Sequence, residues 1–139
     1  MLTGGCYCGQ VRYETGETPF HETICHCPDC RRIAGTPTVA WFSVPVASLR
    51  FTAGEPVRFN SSPGVMRGFC GRCGTHLTFQ QADLPDEIDV TIGSLDEPDQ
   101  VTPRDHTRTR NKLAWDKLGD GLPAFADARG DSSDACGDP

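Results

Sequence analysis

From Gln10 to Glu14 apolar and polar positions alternate, with Val11 and Tyr13 on one side of the chain and Gln10 and Arg12 on the other. A period of two marks a half-buried strand, because successive side chains of an extended backbone point to opposite faces. Short runs rich in β-branched and aromatic residues return at Val39–Val44, Leu49–Thr52, Val57–Asn60, Met66–Phe69, His76–Phe79 and Ile88–Ile92. Turn formers such as Ala53-Gly54 and Ser61-Ser62-Pro63-Gly64 separate them. The pattern predicts a mainly β fold in which Trp41, Phe42, Phe51, Phe59, Phe69 and Phe79 are core residues. Only Pro28–Ala34 reads as helical, for one or two turns: Pro28 suits a first turn, Asp29 the positive N-terminal end, and Gly35 a stop.

At 139 residues the chain has room for one domain with a hydrophobic core. Beyond Phe125 the composition turns to Asp, Ser, Gly and Ala, so the expected division is a domain over residues 1–126 and an acidic, disordered tail over 127–139. A net charge of -6 opposes the electrostatics of nucleic-acid binding, which excludes a polyanionic partner. No segment has the length or polarity of a leader or a membrane span, so the expected setting is the cytoplasm and no membrane partner. A chain of modest apolar content, 37%, with Gly 15 and Pro 11, calls for additional staples.

The cysteines supply them. Seven of the eight cysteines cluster as Cys6-x-Cys8, Cys25-x-Cys27-x2-Cys30 and Cys70-x2-Cys73. In a reducing compartment such spacings point to metal rather than disulfides, and a bridge within Cys6-x-Cys8 would be strained. A structural zinc takes four ligands and a reactive one takes three, leaving a position for water or substrate. Glycines follow Cys8, Cys70 and Cys73, which lets the backbone turn tightly around an ion, so Cys6, Cys8, Cys70 and Cys73 form the expected closed set. Cys25, Cys27 and Cys30 lie within six residues and form the expected open set, for two Zn2+ per chain. The alternative is two structural ions, the second completed by His21, His76 or His106.

These residues resemble a known family. Gly4-Gly5-Cys6-x-Cys8-Gly9-x-Val11-Arg12-Tyr13, Cys25-His26-Cys27-x2-Cys30-Arg31-Arg32 and Phe69-Cys70-x2-Cys73-Gly74-Thr75-His76-Leu77 are similar to the glutathione-dependent formaldehyde-activating enzymes, also called the centromere protein V family. Later blocks at Ile88–Asp96, Pro103-x2-His106, Trp115 and Leu122-Pro123 extend the likeness over about residues 2 to 126. The resemblance implies a β-tent of short antiparallel sheets joined at zinc, with the same partition of the seven cysteines. It also implies a carbon–sulfur lyase-type activity on the adduct of glutathione, or a similar small thiol, with formaldehyde or another small electrophile.

Two further residues are expected at the site. Arg32, on the short helix, could pair with a substrate carboxylate through its planar fork, although a surface charge explains either Arg31 or Arg32 as well. His106, ahead of His76, is the expected proton-transfer group, with a satisfied hydrogen-bonding histidine as the plain alternative. His26 should point away from the metal, Asp96 reads as a turn former, and Cys136 as a free thiol in the tail. The competing function is a protein that binds a thiol or its adduct, or zinc alone, without turnover. A zinc ribbon lacks the basic face it needs, and a sulfoxide reductase lacks a spare redox cysteine outside the tail. An oligomer is possible but not indicated.

Overall fold

The alternating segments build two sheets. The structure is a computed structural model that describes residues 1–16 and 18–129. The smaller sheet joins β1 (Leu2–Gly5), β2 (Arg12–Thr15) and β5 (Leu49–Ala53) in the order β1-β2-β5. The larger one uses β3 (Phe20–Cys25), β4 (Val39–Pro45), β6 (Val57–Ser62), β7 (Val65–Phe69), β8 (His76–Gln81), β9 (Glu87–Thr91) and β10 (Asp105–Thr107). Its order is β10-β3-β4-β9-β8-β7-β6. The mainly β expectation holds with one amendment to its antiparallel character. β10 runs parallel to β3, pairing Asp105 with Thr23 and Thr107 with Cys25.

The interior strand β4 carries apolar residues on both faces, and each face meets a different core. Phe42 and Val44 pack with Val11, Tyr13, Leu77 and Val90 in the core that also contains Cys6 and Cys70. Val39 and Trp41 pack on the other side with Val65, Phe79 and the thiols of Cys25, Cys27 and Cys30. Of the aromatics expected inside, Phe59 is exposed, standing on edge strand β6 against the ring of Phe69.

The sheets meet where β1 passes the turn after β9. A Cβ on Gly4 would stand 2.4 Å from Tyr13 Oη and 2.5 Å from the Ser94 carbonyl oxygen, so only glycine fits there. Tyr13 Oη and Ser94 Oγ share a hydrogen bond of 2.7 Å. Asp96 accepts from Arg12 Nη1 at 2.9 Å and from Thr3 Oγ1 at 2.8 Å, which makes it a tie between chain segments as well as a turn residue. The Arg12 guanidinium and then the Thr3 hydroxyl hold its carboxyl down to about 2.

The helix α1 spans Pro28–Ala34 with Cys27 as its N-cap and Gly35, at φ 68, as its left-handed stop. Downstream of β10 the chain returns to it, with the His106 amide donating to the Pro123 carbonyl and the Phe125 amide to the His106 carbonyl, both at 2.8 Å. The expected tail is attached at its start: Arg110 pairs with Asp127 and Arg129 with Asp105. Residues 130–139, with Cys136, lie outside the described residues. Among the described residues no helix is long and apolar enough to cross a membrane.

Candidate functional site

Cys6 and Cys8 sit in the turn between β1 and β2, and Cys70 and Cys73 in the turn between β7 and β8. Each turn closes through a glycine with φ 82, Gly9 in one and Gly74 in the other. Their amides donate back to the carbonyls of Cys6, at 3.1 Å, and Cys70, at 2.8 Å. The four sulfurs lie within 4.8 Å of one another. Cys6 and Cys8 are 3.6 Å apart and Cys8 and Cys70 3.8 Å. Zinc–sulfur bonds of about 2.3 Å at tetrahedral angles set an S···S edge of about 3.8 Å, so the donors fit a closed four-thiolate ion and are far from disulfide length.

Amides already face these sulfurs. Val11 donates to Cys6 Sγ at 3.2 Å and Arg72 to Cys70 Sγ at 3.4 Å. The Thr75 hydroxyl and amide bring Cys73 down to about 5. Burial raises the Cys6 thiol, but the Val11 amide and neighbouring thiols outweigh it and leave it lowered. The Gln10 amide pulls Cys8 down, yet burial and three adjacent thiols push it up to about 11. Four close thiols resist losing all their protons together unless a cation sits among them.

The second cluster is built around the start of α1. Cys25 ends β3, Cys27 caps the helix and Cys30 lies one turn in, so three sulfurs converge within 4.8 Å of one another. The Cys30 amide donates to Cys27 Sγ at 3.3 Å. Exposure of the three residues is 1% or less. Among the described residues no histidine or carboxylate joins this group.

The histidines divide sharply. His26 points away from the thiols, sharing a 2.9 Å hydrogen bond from Nε2 to His106 Nδ1, and His106 Nε2 reaches Asp120 Oδ2 at 2.8 Å. Burial and then the His106 charge hold His26 below its ordinary range. His106, expected to move protons, thus commits both ring nitrogens to neighbours. His76 is 8% exposed and neither ring nitrogen is hydrogen bonded. Burial, then the Arg67 charge, press its imidazole down to about 4, with the Thr78 backbone and Cys27 offsetting only part.

His76 lines a cleft of about 520 Å³ together with Cys73 of the four-thiol set and a polar wall of Thr36, Thr38, Thr75, Thr91 and Ser94. Val39 lines the same cleft and packs with the three thiols. Trp41, also packed there, meets the His76 ring edge-on at 5.0 Å and leaves its own Nε1 without a partner. The expected Arg32 is exposed on the last turn of α1, next to Ile33 and Ala34 of the cleft rim. The guanidinium that does reach the thiols belongs to Arg67 of β7, which no local pattern in the sequence sets apart from a solvent-facing strand charge.

No curated protein matches the chain. A crystal structure of a Rhodobacter sphaeroides protein shares the fold, with a TM-score of 0.59 and 24% identity over 73% of this chain and 92% of that one. The model of the family described as glutathione-dependent formaldehyde-activating enzyme matches residues 1–111, taking in all seven clustered cysteines, Arg67 and His76. The sequence motifs, the two thiol sets and this match agree that the chain belongs to the glutathione-dependent formaldehyde-activating enzyme family.

Proposed function

We propose that both thiol clusters take up zinc, two ions per chain, and that the chain is a carbon–sulfur lyase-type enzyme acting on adducts of a small thiol, such as glutathione, with a small aldehyde. The observation that carries this reading is the inequality of the donor sets: four thiols spaced for a closed tetrahedron, and three with no fourth protein ligand among the described residues. Cys6, Cys8, Cys70 and Cys73 are assigned the structural ion, and Cys25, Cys27 and Cys30 the reactive one. When bound there, zinc would supply a Lewis acid that takes a thiol as thiolate at neutral pH, where a free thiol of pKa about 8.5 is mostly protonated.

The chain's own residues handle the rest. In the synthetic direction the thiol gives up its proton, its sulfur bonds to the carbonyl carbon, and the proton ends on the oxygen of the new hydroxymethyl group; the reverse restores thiol and aldehyde. A neutral imidazole carries one N–H donor and one acceptor, which suits His76 to hold that oxygen and the moving proton. We assign this role to His76 in preference to His106, whose nitrogens are both engaged. Arg32, at the cleft rim, is the candidate partner for a substrate carboxylate. All seven clustered thiols are free of disulfides, which supports a reducing, cytoplasmic setting.

The burial of Cys25, Cys27 and Cys30 favours a second reading, in which this ion too is structural and the protein binds without turnover. Zinc per chain, with the zinc K-edge spectrum before and after glutathione, separates the two. Near two ions, with sulfur coordination at one site rising from three to four, supports the reactive centre. A spectrum that ignores glutathione selects the structural reading. Cys27→Ser should lower both metal occupancy and thiol binding.

A further inference from the structure

Arg67 is the largest fully buried side chain among the described residues. A charge so placed is sustained only by close partners. Its two terminal nitrogens face Cys30 Sγ at 3.6 and 3.7 Å. Behind them Nε donates to Ser61 Oγ at 2.9 Å, and the guanidinium carbon stands 4.9 Å over the Phe79 ring. Strand β7, the β6 hydroxyl and the β8 ring therefore fix a planar fork against one thiol of the three-cysteine set.

The charge at that place decides what the centre can accept. A divalent ion held by three thiolates carries one net negative charge, and a fourth thiolate raises it to two, whereas a neutral ligand adds none. In a site removed from water the second charge is expensive. A fixed guanidinium offsets one unit, so that thiolate arrival leaves one net negative charge in place of two. We propose that Arg67 is the counter-cation of the Cys25, Cys27 and Cys30 centre, a positioning residue that tilts its fourth position toward an anionic thiolate and away from neutral ligands. This rests on the reading that the cluster holds a reactive zinc. The role falls to Arg67 because Arg31 and Arg32 sit in the last turn of the helix, whereas Cys30 presents its sulfur to β7.

The test compares two probes on the full-length protein with cobalt(II) exchanged into the three-thiol site: 2-mercaptoethanol, which binds as an anion and has no carboxylate for Arg67 to capture, and imidazole, which binds neutral. Absorption of the cobalt reports each ligand, and retained zinc in the four-thiol site reports that the protein is folded. Arg67→Met is expected to weaken 2-mercaptoethanol binding by about 10–100-fold, the usual range for groups that support metal ligands, while imidazole changes by no more than about threefold. Arg67→Lys, which keeps the charge without the fork, should recover most of the thiol affinity. Equal losses for both ligands, or none for the thiol, overturn the proposal. If Arg67→Met does not fold, Ser61→Ala loosens the fork and should weaken the thiol selectively; an unselective change, or none, again overturns it. A wild-type protein that binds no thiol at all removes the reactive-zinc reading and this inference with it. Thiol binding equal in wild type and variants removes only the inference.

Discussion

His76 provides a test that needs no substrate. In the folded chain burial holds its imidazole down to about 4, against an ordinary value of 6.5. Between these two values the unfolded chain carries a proton that the folded chain refuses, so stability falls as the solution is acidified. From pH 8 to pH 5 the difference in proton binding amounts to about 2 kcal/mol of lost stability from this one residue. His76→Phe keeps the edge-on packing with Trp41 and has nothing to titrate. Urea unfolding of the zinc-loaded proteins at the two pH values gives the comparison. Protonation of the cysteine ligands affects both proteins alike and drops out of the difference. The wild type should lose about 2 kcal/mol more than the variant over this interval. Parallel losses, to within about 0.5 kcal/mol, would refute the claim that the imidazole is buried and neutral.

Two other expectations concern the joint between the sheets. Gly4→Ala forces a methyl against Tyr13 Oη and the Ser94 carbonyl, and should cost about 1–3 kcal/mol in a thermal melt; an unchanged midpoint would contradict that close approach. Cys73→Ser, or a chelator strong enough to strip the four-thiol site, should uncouple β1 and β2 from the larger sheet. Hydrogen exchange should then rise in Leu2–Gly5 and Arg12–Thr15 before the rest of the chain.

Segments that advertise themselves locally were legible in the sequence. Pro28–Ala34 has its proline, acidic first turn and terminal glycine in place, and the helix occupies those residues. β4, β5 and β9 carry β-branched and aromatic runs and lie within a residue or two of their expected bounds. β1 was hidden because half of it is glycine, a weak strand former required here by Tyr13 and Ser94. β3 was hidden because its alternation breaks at His21, whose φ of 54 shifts the register against β4. β10 is polar at all three positions and buried at each, held by parallel pairing and the returning segment at Pro123–Phe125. The cysteine groupings could be read because spacing and glycines are local. Arg67 could not, since a lone arginine on a strand looks like any solvent-facing charge until β8 and α1 are packed around it.

The two thiol sets also differ in when they can exist. Cys25, Cys27 and Cys30 close a six-residue span, so a growing chain can offer that set soon after it emerges. The other set has to bring Cys8 to Cys70, 62 residues along the chain. Until the second turn is made, Cys6 and Cys8 are an orphan pair of thiols, able to capture the wrong metal or each other's neighbours in a crowded cell. On the proposed zinc assignment, loading of the distant site is a late event that certifies β1, β2, β7 and β8 are already in register. Under that assignment metal supply and completion of the fold become one step, and a cell short of zinc would accumulate chains halted just before it.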